Sequence, residues 1–96
     1  MRLISHRGNI NGRYPEKENH PWYIHNALNA GYDVEIDVWN INKHWYLGHD
    51  YCQNKVSLNF LMNPALLCHA KNLEALDKMI IHTNIHCFWH QEDNYT

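Results

Sequence analysis

The chain has 96 residues, 45 % of them hydrophobic and 19 % charged, which allows one small domain and argues against disorder. Eight Lys and Arg against ten Asp and Glu give a formal net charge of −2, with no basic block to bind nucleic acid. No stretch approaches the roughly 20 apolar residues of a membrane span. Met1-Arg2-Leu3-Ile4-Ser5 runs directly into polar His6-Arg7-Gly8, unlike a signal peptide, so a cytoplasmic protein is expected. Cys52, Cys68 and Cys87 are an odd number without C-x-x-C spacing, and read as small hydrophobes in a reducing compartment. Histidine is the anomaly: nine residues, more than all Lys and Arg together, of the side chain best suited to proton transfer near neutral pH.

Arg2 to Ser5 reads as a short buried strand ended by a glycine turn, and Asn9 to His20 as a loop. Pro21 suits a first helical position; Trp22, Ile24, Ala27 and Leu28 make an apolar stripe, and Gly31 stops the helix. Tyr32 to Trp39 is the cleanest strand, alternating Val34, Ile36 and Val38 with Asp33, Glu35 and Asp37. Residues 40–43 turn the chain into a third strand, His44 to Leu47. Tyr51 to Asn63 is a connector with one helical turn capped by Ser57. A fourth strand covers Ala65 to Ala70. Asn72 caps a helix to His82 with Leu73, Leu76, Met79 and Ile80 as its buried stripe, and Ile85 to Trp89 is a fifth strand. Strands alternating with helices predict an α/β fold with a parallel sheet.

The chemistry concentrates at strand ends. Glu35 and Asp37, two residues apart on one strand, project to the same side with Cα atoms about 6.5–7 Å apart. Two such carboxylates repel unless a proton or a cation stands between them, and oxygen ligands suit Mg²⁺ or Ca²⁺. A solvated strand face is the competing account of the same pattern. His6-Arg7-Gly8 and His49-Asp50 follow the first and third strands, and residues beyond parallel strand ends converge on one rim. Two histidines there can serve as general acid and base, and an arginine can grip phosphate.

His6-Arg7-Gly8, Glu18-Asn19, Gly31-x-x-x-Glu35-x-Asp37-Val38 and His49-Asp50 stand in the order and approximate spacing of the glycerophosphodiester phosphodiesterases. The chain resembles that family of TIM-barrel enzymes, clearly over Leu3 to Asp50 and more thinly from Ala65 onward. The resemblance implies the N-terminal portion, about five strands, of a (β/α)₈ barrel, as a single domain over residues 1–96. It further implies a metal-dependent phosphoric diester hydrolase acting on a small phosphodiester. In that family's terms His6 and His49 match the acid/base pair, and Arg7 and Lys71 the phosphate contacts. Glu35 and Asp37 match metal ligands, joined by Glu18 near the metal. The family's Glu-x-Lys on strand four is His69-Ala70-Lys71 here, so His69 replaces a carboxylate ligand, and Mn²⁺ or Zn²⁺ joins Mg²⁺ and Ca²⁺ as a candidate cation.

The family's inserted subdomain between the His-Asp motif and strand four is missing. A full barrel takes about 250 residues, so the expectation is a truncated chain that keeps the catalytic half. Its fifth strand would then offer an open edge to self-association. Two other functions compete: an idle remnant that binds metal or phosphate without turnover, and a transition-metal binder using His82, His86, His90 and Glu92. Trp22, Trp39, Trp45 and Trp89 read as core or rim filler.

Overall fold

The computed structural model describes residues 3–89. Within them the chain runs β1 (Ile4–His6), α1 (Pro21–Asn29), β2 (Asp33–Ile41), β3 (His44–Leu47), β4 (Asn54–Val56), α2 (Leu58–Leu61), β5 (Leu66–Ala70), α3 (Leu73–Ile81) and β6 (His86–Phe88). This is an α/β domain on one open sheet, of six strands among the described residues. No helix among those residues is long and apolar enough to cross a membrane.

β2 organises the sheet. Its alternation puts Val34, Ile36 and Val38 on a fully buried face and Asp33, Glu35 and Asp37 on the other. β5 runs parallel beside it, with Ile36 opposite Cys68 and Asp37 opposite His69, and β6 continues parallel with Cys87 opposite Cys68. Ile24 and Ala27 of α1, and Ala75 and Met79 of α3, close over the aliphatic face of β2 and β5. Burying an aliphatic side chain of this size contributes about 1.5–3 kcal/mol, several times an exposed ion pair. The apolar face therefore holds the sheet, and the acidic face is left for chemistry.

The sheet is mixed, not parallel. β3 returns antiparallel to β2, with Val38 opposite Leu47 and Ile41 opposite His44. Asn42 and Lys43, at φ 51° and 71°, make the two-residue turn whose left-handed conformation suits a hairpin. Two residues cannot form a parallel crossover, which settles the direction. β4, antiparallel to β3, lies in the segment expected to be a connector. β1 and β3 share one edge of β2. β1 pairs with residues 33–35 and β3 with 38–41, while β5 takes the other edge along 34–38.

Helix ends match the sequence, whereas their buried stripes differ. Pro21 opens α1, and Gly31 follows its end at φ 94°. The Asn72 side chain accepts from Ala75 N–H as the cap of α3 and also pairs with both backbone groups of Asn40. That tie fixes the rotation of α3 over the sheet. Ala75 and Met79 face inward, while Leu73 and Ile80 are exposed. Trp22 is likewise exposed on α1, where Ile24 and Ala27 are buried. Small alanines let both helices approach the sheet closely, which turns the bulkier neighbours outward.

Candidate active site

β2 brings Asp37 to the end of the parallel strands, where it becomes the hub of a buried polar network. Its Oδ2 receives Arg7 Nε at 2.9 Å and Asn19 Nδ2 at 3.0 Å. Asn19 Oδ1 accepts the Asp37 backbone N–H at 3.0 Å, so one amide clamps the residue twice. On the neighbouring strand His69 Nδ1 lies 3.3 Å from Oδ1, and its ring stacks on Phe88 at 5.0 Å. An ionised carboxylate only accepts, so that bond requires the proton on His69 Nδ1. Burial would push the Asp37 carboxyl up. The His69 and Asn19 hydrogen bonds, with the charges of Arg7 and Lys71, override it and hold the pKa at about 2.

Arg7 links Asp37 to a second buried carboxylate. Its Nη1 donates to Glu18 Oε1 at 3.1 Å, and Glu18 Oε2 receives Asn9 Nδ2 at 2.9 Å, with Arg13 Nε 3.4 Å away. Burial opposes ionisation of Glu18, and the donors Asn9 and Arg7 with the charges of Arg7 and Arg13 outweigh it, lowering its pKa. Arg7 holds a left-handed backbone at φ 58°, fixed by its N–H to Glu35 O and its carbonyl from Asn19 N–H. Strain of this kind persists only where surrounding bonds enforce it.

The two strand-end histidines arrive by different routes. His6 ends β1 beside Glu35, with Nδ1 3.4 Å from Oε1. His49 is delivered by the hairpin: β3 runs back along β2, so its far end meets Asp37 and not the outer rim. There His49 Nδ1 is buried 3.5 Å from Asp37 Oδ2, outside good hydrogen-bond geometry, and Nε2 lies 3.7 Å from Asp50. Gly48 sets this path. A Cβ on Gly48 would collide with the Tyr51 carbonyl, its own N–H donates to Asp37 O, and its carbonyl accepts Trp39 Nε1 at 2.7 Å. His6, Arg7, Asn9, Arg13, Glu18 and His49 line a cleft of about 600 Å³, with Ile4 and Ile10 among its walls.

The residues singled out in the sequence thus gather on one side of the sheet, in two groups. His6, Arg7, Glu18 and His49 surround the cleft, and Glu35, Asp37 and His69 stand beside one another on β2 and β5. Lys71 follows β5 and reaches Asp37 through its charge. Among the described residues, no three His, Cys, Asp or Glu side chains are disposed to hold a metal ion. The Arg7 guanidinium spans Glu18 and Asp37, while Glu35 faces His6. Of the proposed histidine-rich metal set, His90 and Glu92 lie outside the described residues. Cys52, Cys68 and Cys87 are free thiols, and burial pushes Cys68 up to about 12.

Sequence reasoning gave no role to Asn19, Asn9 or Arg13. Asn19 is fully buried at φ 63°, a conformation asparagine tolerates better than most residues. Its position directly after Glu18 in a polar loop was the available signal. No family model, curated protein or solved structure matches the chain.

The low pKa of Asp37 has a consequence for the metal-free protein. An aspartate lowered from 3.8 to about 2 on folding stabilises the fold above its unfolded pKa. The contribution is on the order of 2 kcal/mol near neutrality. It is lost as pH falls from about 4 through 2. Urea midpoints measured in chelator across that range should fall more steeply for wild type than for Asp37→Asn. Parallel slopes would show that Asp37 is not held ionised by the fold.

Proposed function

We propose that the chain is the N-terminal part of a TIM-barrel phosphoric diester hydrolase of the glycerophosphodiesterase type, using His6 and His49 as its acid/base pair. The observation that carries this is the placement of each imidazole Nδ1 close to a carboxylate of β2, His6 3.4 Å from Glu35 and His49 3.5 Å from Asp37, beside a cleft that Arg7 also lines. A carboxylate that closes to hydrogen-bond distance behind an imidazole when substrate binds orients it for proton transfer. In this reading one histidine deprotonates water or a neighbouring substrate hydroxyl, and the other protonates the leaving alcohol. Arg7 and Lys71 supply positive charge to the phosphoryl group. A small phosphodiester in a reducing cytoplasm is the expected substrate.

Carboxylates from Glu35, Asp37 and Glu18 and the His69 imidazole beside Asp37 are ligand types that a divalent cation takes, but as placed no three of them converge on one point. Glu35 and Asp37 would hold the cation, helped by Glu18 or His69, and it would draw charge off the phosphoryl oxygens. Arg7 already neutralises Glu18 and Asp37, so any cation competes with its guanidinium. That competition favours the second reading, a phosphate- or metal-binding remnant without turnover. The outer edge of β6 would admit self-association in either case.

Hydrolysis of bis(p-nitrophenyl) phosphate with Mg²⁺, Ca²⁺, Mn²⁺ or Zn²⁺, alongside calorimetric titration of each metal, separates the readings. The hydrolase reading expects metal-stimulated turnover that Asp37→Asn abolishes together with metal binding. His69→Glu should move preference toward Ca²⁺. Metal binding without turnover selects the remnant, and neither binding nor turnover rejects both.

A further inference from the structure

Arg13 stands out among the cations of the cleft because its present contacts are weak. Arg7 is fixed: its side chain is 22 % exposed and lies against two buried carboxylates. Arg13 is 71 % exposed and meets Glu18 only through Nε, at 3.4 Å. Glu18 keeps Arg7 and Asn9 as donors whether or not Arg13 remains. An ion pair this exposed contributes at most about 1 kcal/mol, so redirecting Arg13 costs little. With Nε the atom set against Glu18 and most of the side chain in solvent, the two-pronged face of the guanidinium can turn to a ligand.

The loop favours the same assignment. Arg13 follows Gly12, which lines the cleft at φ 95° with nothing within 4 Å of where its Cβ would stand. Lys17, another cation of this loop, lies 5.1 Å from the Tyr14 ring centroid and lines a separate cavity. Arg13 and Arg7 reach opposite oxygens of the single Glu18 carboxylate, so two guanidiniums lie close together along one wall. A phosphodiester needs one of them.

We infer that Arg13 is a specificity residue that takes a second anionic group of the ligand, so the preferred substrates carry a phosphate or carboxylate on one of their alcohols besides the phosphodiester. This rests on Arg7 being the phosphate site of the proposed hydrolase. Arg7 takes the first anion, and Arg13 leaves Glu18 to form a charge-assisted fork with the second.

Calorimetry at low salt with inorganic phosphate and with propane-1,3-diyl bisphosphate tests this on the unmodified chain, Arg13→Gln and Arg13→Lys. A hydrogen bond to a charged group contributes about 1.5–3 kcal/mol, so wild type should bind the bisphosphate about tenfold or more tighter than phosphate. Arg13→Gln should reduce that ratio to about the twofold expected from having two equivalent ends. Arg13→Lys should keep part of it, having charge without the fork. A wild-type ratio near two, or one that survives Arg13→Gln, overturns the inference. Carboxylate and phosphate sources are separated by repeating the titration with 3-phosphonooxypropanoate. Turnover of p-nitrophenyl propyl phosphate reports on the hydrolase reading independently. Absent turnover with the ratio intact removes that reading and leaves the second anion site standing.

Discussion

His6→Ala and His49→Ala should each lower kcat on an alkyl phosphodiester by about 10²–10⁴-fold, the usual contribution of a positioned acid or base. KM should change far less, because Arg7 and Lys71 carry the phosphate contacts in this mechanism. Both histidines are partly exposed and leave the aliphatic core untouched, so the variants should fold. Their environments differ in a useful way. Among the described residues His6 is set against Glu35, whereas His49 has Asp37 at one nitrogen and Asp50 at the other. A nitrophenolate leaving group departs without a proton, so replacing the alkyl alcohol with nitrophenol should rescue only the variant lacking the general acid. That comparison assigns the two roles. If both variants keep near-wild-type turnover on the alkyl substrate, the two-histidine mechanism is wrong for this chain.

Most of the site could be read from the sequence because its polar residues stand where periodicity breaks. Asp33, Glu35 and Asp37 alternate with Val34, Ile36 and Val38, and period two puts the acids on one face wherever the strand goes. His6 and His49 lie beside that face, but His49 reaches it by another route than the sequence suggests. The expectation was parallel strands ending on one rim; the structure uses a hairpin whose return strand carries His49 back to Asp37. A four-residue strand has no periodicity that reports its direction, and only the two-residue link at Asn42 and Lys43 does.

Other features depended on contacts between distant residues. Leu73, Ala75, Leu76, Met79, Ile80 and Ile81 wrap most of α3, so several stripes satisfy helical spacing. The Asn72–Asn40 pairing selects one of them. Asn19 reads as an ordinary loop residue until Asp37, eighteen residues on, is placed against it. Arg7 was legible as a cation at a strand end but not as the bridge between Glu18 and Asp37. A pairing of three residues across eleven and thirty positions leaves no local pattern.

Arg7→Met should destabilise the metal-free protein by about 3 kcal/mol, the low end of the cost of removing one partner from a buried ion pair. Two buried carboxylates lose a donor at once: Asp37 loses Nε, and Glu18 loses Nη1. The low end applies because each keeps other donors, Asn19 and His69 for Asp37, Asn9 and Arg13 for Glu18. Methionine preserves most of the side-chain length and meets the same left-handed backbone as arginine, so the φ of 58° adds no difference between the two proteins. Against a typical stability of about 5–15 kcal/mol this is a large fraction, equivalent to a fall in Tm on the order of 15 °C for a domain this small. Acid sensitivity should move with it. Arg7's charge helps keep Asp37 ionised, so without it the carboxyl protonates at higher pH and the acid loss of stability starts earlier. Arg7→Met combined with Glu18→Gln should cost less than the sum of the single changes, because the second removes a charge that the first left unpaired. Urea unfolding of the four proteins measures that coupling. A loss below about 1 kcal/mol for Arg7→Met, with no coupling to Glu18, would mean that the bridge behaves as a surface pair and has no structural role.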